Sequence, residues 1–191
     1  MESKFIEASK RERWCLRTIL PLIKEMNPKF TWTEYITDIF GYDSYDCLLQ
    51  AWKDGSVKIR YIIEVKVRTN HYDELILEKK KLNDLKKKIL DPTTTEIIYI
   101  NITPKGTFLF NISRLEKEGK LITSKMIMNK STMQSTSNKI EKGIILLDVV
   151  KARRFDFKFN EGDYLGWQTS LIENNKGRAT KDMWLYLIGK D

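Results

Sequence analysis

Three features predict an α/β fold, a mixed central β-sheet flanked by helices, with an additional β-rich part toward the C-terminus. The first is a pair of helical patterns over residues 2–26 and 74–90, each with an apolar stripe that must pack on something. The second is a hairpin signal, in which Lys53-Asp54-Gly55-Ser56 separates two strand-like runs. The third is EIIYINI at 96–102, a nearly unbroken apolar run suited to a strand covered on both faces.

In order, the first helix carries Phe5, Ala8, Cys15, Leu16, Ile19, Leu22, Ile23 and Met26 on one side, with Glu12 inside the same arc. A carboxylate in a core-facing stripe needs a partner. Pro21 is expected to kink this helix or start a second one. Residues 29–40, rich in Thr and aromatics, read as a first strand, and the hairpin occupies 42–68. The second helix, 74–90, buries Leu75, Leu82, Leu85 and Ile89, has Glu78 in the same arc, and carries Lys79–Lys81 and Lys86–Lys88 around its solvent side. Asp91-Pro92 ends it. Strands follow at 96–102 and 107–112 around Thr-Pro-Lys-Gly, then one or two helical turns at 113–119. Residues 123–143 are rich in Ser, Thr, Asn and Lys and read as a polar loop. Strand patterns return at 144–150, 155–159 and 183–188.

The chain has 191 residues, enough for one domain with a sizeable core, and 41% hydrophobic with 31% charged residues is the balance of a soluble globular protein. No apolar run approaches the ~18 residues of a membrane span, and the charged N-terminus lacks a signal-peptide apolar region. Cys15 and Cys47 have neither ligand nor disulfide spacing, and the single His71 excludes a His-rich zinc site. A cytoplasmic, intracellular protein with no membrane partner is expected. A net charge of +8 favours a polyanionic partner, with Arg153, Arg154, Lys176 and Arg178 in or beside turns and Trp167 in a Gly-rich stretch.

The chemistry concentrates in the hairpin. In its second strand Tyr61, Ile63, Val65 and Val67 share one face, and Ile62, Glu64, Lys66 and Arg68 the other. The turn swings the first strand back so that Asp46 approaches Glu64. Two carboxylates and an ammonium on one sheet face are costly unless a cation or substrate gives them a role. Glu-x-Lys also occurs at Glu2/Lys4, Glu78/Lys80 and Glu118/Lys120, but only Glu64/Lys66 lies in a β-branched run after an acid-bearing strand. The bland alternative is an edge strand with a cross-strand charge pair.

Asp46 followed by Glu64-Val65-Lys66 resembles the PD-(D/E)XK nuclease superfamily, over roughly residues 1–110, although Tyr45 stands where that family often has Pro and Asp43 competes as the first acid. The resemblance implies a restriction-endonuclease-like fold with a nuclease-like core at 1–120, a flexible or polar segment at 121–143 and a β-rich extension at 144–191. It implies a Mg²⁺-dependent nuclease, expected to be an endonuclease, with Mn²⁺ able to substitute. Asp46, Glu64 and the Val65 carbonyl would hold the metal, Lys66 would orient water or stabilise the transition state, and Glu12 would be the helical acid. Glu78 would stand behind the site, and Arg68, Lys79, Lys80, Arg153 and Arg154 would contact nucleic acid, DNA favoured over RNA. Any self-association is expected to be a dimer. The alternative is a catalytically inactive nucleic-acid- or partner-binding module on the same fold.

Overall fold

The structure, a computed structural model, describes residues 4–37, 43–129 and 139–166. Helix α1 (Lys4–Glu25) comes first and passes through Pro21 without starting anew. Strands β1 (Thr31–Ile36), β2 (Cys47–Lys53) and β3 (Ser56–Val67) form an antiparallel meander. The β2–β3 turn puts Asp54 and Gly55 at φ of 53° and 70°, the left-handed pair that a two-residue hairpin turn requires. The chain then makes β4 (Glu74–Glu78) and α2 (Lys79–Lys86) before returning as β5 (Thr95–Thr103), which lies parallel to β3. Strand β6 (Gly106–Asn111), helix α3 (Ile112–Lys117), strands β7 (Ile122–Asn129) and β8 (Lys139–Asp148) and the short β9 (Arg153–Phe155) complete the described elements.

The expected mixed central sheet is present, in the order β1-β2-β3-β5-β6-β9, and a second sheet runs β4-β8-β7. On one face of the central sheet, the α1 stripe of Cys15, Leu16, Ile19, Leu20 and Ile23 packs on Leu49, Ile63, Val65, Ile98, Ile100 and Ile102. On the other, α2, α3 and the second sheet bury Leu82, Leu85, Leu115, Leu75 and Leu147 against Ile62, Ile97, Tyr99 and Phe110. β5 therefore has a core on both sides, which is why its apolar run is almost unbroken.

Four expectations are corrected. Residues 74–90 are not one helix: 74–78 is β4, and α2 covers only Lys79–Lys86. Leu75 and Leu77 alternate, and pair with Leu147 and Ile145 of β8, so a distant partner decides an ambiguous local pattern. Residues 123–143 are not a loop where described, since β7 and β8 pair from Ile122–Leu146 to Asn129–Lys139. The polar composition of β7 reflects its place at the sheet edge, with nearly its whole length exposed. The strand expected at 155–159 is Arg153–Phe155 instead, and Phe157 and Phe159 turn onto Trp14 of α1. Likewise β8 reaches only Asp148, and a 3-10 turn follows at Val149–Lys151. Tyr42, Trp167, Lys176, Arg178 and the strand expected at 183–188 lie outside the described residues.

Candidate active site

The β2–β3 register aligns Cys47 with Ile63. Asp46 lies one residue before that pair, close enough for its charge to act on Glu64. Asp46 leaves the regular ladder: its N–H donates to the Ile63 carbonyl (2.8 Å), and its Oδ2 accepts from the Val65 N–H (2.7 Å). Its Oδ1 accepts from Arg13 Nη1 at 2.6 Å. Arg13 is pinned in turn, because Nε donates to the Thr37 carbonyl (2.9 Å) and Nη2 to Thr37 Oγ1 (2.8 Å). Burial works to raise the Asp46 carboxyl, but Arg13, Lys66, the Val65 N–H and Lys81 together hold it below the usual carboxylate range.

Glu64 is held differently. It is 2% exposed, with Lys81 Nζ 2.8 Å from Oε2 and Lys66 Nζ 3.9 Å from Oε1. Lys81 meets Oε2 as a charge contact, and no directed donor reaches that buried oxygen. Burial, then the Asp46 charge, pushes the Glu64 carboxyl up to about 8, only partly offset by Lys81 and Lys66. Lys66, whose side chain is 46% exposed, reaches back to Glu12 Oε1 at 3.1 Å. Desolvation works to lower the Lys66 ammonium, but Glu12, Glu64 and Asp46 outweigh it and raise it. Burial also raises Glu12, against the pull of Lys66. The partner that a carboxylate in the α1 stripe needs is therefore Lys66.

Glu12, Glu64 and Lys66 line a pocket of about 450 Å³, together with Arg68, Lys81 and Tyr99. Arg68 follows the end of β3 and borders two neighbouring pockets as well. Its Nε donates to Asn101 Oδ1 (2.6 Å) and its Nη2 to the Ile76 carbonyl (3.0 Å), which fixes the guanidinium at the junction.

The fold thus brings Asp46, Glu64, Lys66 and Glu12 together, with Val65 between the first two acids and Arg68 at the rim. Asp43 is exposed. Glu78 lines the same pocket from the end of β4 rather than from a helix, and its Oε1 accepts from Lys142 at 2.9 Å. Lys79 and Lys80 are exposed on α2, and Lys80 pairs with Asp84 at 3.0 Å. Arg153 and Arg154 sit on β9, the far edge of the sheet, three strands from β3. Arg154 donates there to the Lys105 carbonyl at 3.1 Å, and Arg153 lies over the Phe155 ring. Sequence reasoning missed Lys81, the inward member of the first lysine triplet, which faces the same side of α2 as Leu82 and Leu85. It also missed Arg13.

Neither cysteine is a nucleophile here. Both are in the core, and burial pushes the Cys47 thiol up to about 12 and raises Cys15 as well. Among the described residues no helix is long and apolar enough to cross a membrane.

The donor set suits Mg²⁺. Asp46 and Glu64 supply hard oxygens, one of them the Glu64 oxygen without a directed donor. Among the described residues no group of three or more His, Cys, Asp or Glu is placed to hold a metal ion.

No family model and no curated protein matches the chain. Among solved structures, it is similar to a nuclease from a fusselovirus, at 13% identity over 75% of this chain and 84% of that one, with a TM-score of 0.43. It is also similar to Hjc, a Holliday junction resolvase from the archaeal hyperthermophile Archaeoglobus fulgidus, at 14% identity over 81% of this chain and 99% of that one, with a TM-score of 0.43. The likeness is one of fold alone.

Proposed function

We propose that the chain is a metal-dependent nuclease that hydrolyses phosphodiester bonds in DNA. One observation carries the reading: Glu64, with the Asp46 charge beside it, meets Lys66 and Glu12 at a solvent-reached pocket, and one Glu64 oxygen is buried without a directed hydrogen bond. In this reading Asp46, Glu64 and the Val65 carbonyl hold Mg²⁺, or Mn²⁺ in its place. The bound ion supplies Lewis-acid polarisation of the phosphoryl oxygen and acidifies a water. Lys66, part-exposed and firmly protonated, places a compact positive charge where charge builds on the phosphorus oxygens. Lys81 lowers the cost of ionising Glu64, Glu12 restrains the Lys66 ammonium, and Arg68 offers its guanidinium to a neighbouring phosphate. Glu78 supports the pocket wall. Lys79 and Lys80 extend the positive surface along α2, while Arg153 and Arg154 serve a remote backbone contact.

A second reading is favoured by the full engagement of Asp46, whose two oxygens already bond Arg13 and the Val65 N–H. There the acids are structural and the chain is a basic binding module. The test is cleavage of labelled single-stranded, duplex and branched DNA, and of RNA, with Mg²⁺, Mn²⁺ or EDTA, beside Lys66→Ala. Metal-dependent cutting lost in Lys66→Ala supports the nuclease; binding with no cutting under any metal supports the module.

A further inference from the structure

A second pocket of about 630 Å³ adjoins the site and shares Ala8, Glu12, Val67 and Arg68 with it. Its wall holds Arg11, and four contacts fix that guanidinium. Nε donates to Glu7 Oε1 at 3.1 Å and Nη2 to Glu161 Oε1 at 2.8 Å. The guanidinium carbon lies 5.5 Å from the centre of the Phe159 ring and 5.8 Å from that of Tyr164. The result is a flat, rim-pinned cation backed by aromatic rings, with Ala8, Val67, Pro104 and Phe159 supplying apolar lining beside it.

This is a poor place for phosphate. Two carboxylates already neutralise Arg11, and Glu12 adds a third acid to the wall. It is a good place for a flat, uncharged ring with amino groups. Guanidinium planes and aromatic faces stack on bases, and carboxylates accept hydrogen bonds from exocyclic amines. The volume lies within the range of small-ligand pockets. We infer that this pocket takes one unpaired nucleobase stacked on Arg11, while the phosphate of the same nucleotide lies at Arg68 and the active-site pocket. The inference rests on the nuclease reading of that pocket and specifies its substrate: strands with an unpaired nucleotide at the site, either single-stranded or branched, rather than continuous duplex. A base already out of its stack avoids the unstacking cost that duplex would bring.

The test uses the full chain in EDTA, so that nothing is cut. Anisotropy compares a fluorescein-labelled single strand with the same strand carrying abasic residues at its centre. Wild type is expected to bind the abasic strand roughly tenfold more weakly, the scale of one or two stacking contacts. Arg11→Ala is expected to lose the same factor on the normal strand and nothing further on the abasic one. Arg11→Lys keeps the charge without the plane and is expected to behave as Arg11→Ala. Ala8→Leu, which fills the pocket from an exposed helical position, is expected to abolish the difference between strands. The site is overturned if wild type binds both strands alike, if Arg11→Ala weakens both equally, if Arg11→Lys restores discrimination, or if Ala8→Leu retains it. Cleavage with Mg²⁺ separates the two readings. Base-dependent binding without cutting keeps this site and sinks the nuclease. Cutting of single strand and duplex alike, with Arg11→Ala neutral, keeps the nuclease and sinks this site.

Discussion

Asp46 and Glu64 are neighbours across two strands and have the same chemistry, yet the protein treats them in opposite ways. Asp46 is locked by a guanidinium with three protein contacts and by a backbone N–H, and its carboxyl is held low. Glu64 faces two ammonium groups on flexible stems, lacks a directed hydrogen bond at one oxygen, and is raised. A planar cation anchored through three of its nitrogens fixes geometry, whereas a lysine offers charge without direction. One acid is architecture as much as chemistry. The other is held under electrostatic tension that a cation would relieve.

The sharpest way to break this contrast is to remove each partner. Arg13→Ala leaves the buried Asp46 Oδ1 and the Thr37 carbonyl without their donors, and should cost about 3–5 kcal/mol in denaturant unfolding. Lys81→Ala should cost clearly less, because Glu64 can take up a proton instead. Equal losses would erase the distinction. Next, Glu64→Gln and Lys66→Ala should each reduce cleavage by on the order of 10²–10³ with an unchanged circular dichroism spectrum. A Lys66→Ala enzyme of normal rate, still requiring metal, would remove Lys66 from the chemistry.

pH sharpens the comparison further. Glu64 binds its proton more tightly folded than unfolded, so between about 4.5 and about 8 the folded state holds the extra proton and stability falls as pH rises. Asp46 has the opposite sign, and its contribution is present above the ordinary carboxylate range and lost only as pH falls through its depressed value. In EDTA the melting temperature should therefore decline from pH 5 to pH 8, and Glu64→Gln should flatten that decline. Mg²⁺ should raise the melting temperature more at pH 8 than at pH 6, and not at all in Asp46→Asn. The smallest effect belongs to Lys80, 88% exposed. Its alanine variant should melt normally, and should lower the salt slope of DNA binding by about one if it touches a phosphate.

The hairpin was legible because its signals are local. Asp54-Gly55 fixes the turn, period-two alternation fixes the faces, and together they place Asp46 near Glu64. Glu12 was legible as an acid out of place in an apolar stripe. What stayed hidden came from far along the chain. Arg13 reaches Asp46 across 33 positions, and nothing in its neighbourhood separates it from the other basic residues of α1. Lys81 looked like any lysine in a run, because its inward direction depends on where α2 starts, and α2 starts at Lys79 only because β8 claims residues 74–78 as a strand. The β7–β8 pair was hidden for a related reason: an edge strand facing water is composed like a loop.

The two-residue turn between β2 and β3 also bears on the order of assembly. Closing so short a connection takes little time, whereas Arg13 must arrive from α1 and Lys81 from the crossover that leads to β5. During refolding the nascent hairpin then carries both acids side by side before either cation has docked. Mild acidity, by titrating that repulsion away, should quicken the early phase, and the gain should vanish when Glu64 is replaced by glutamine.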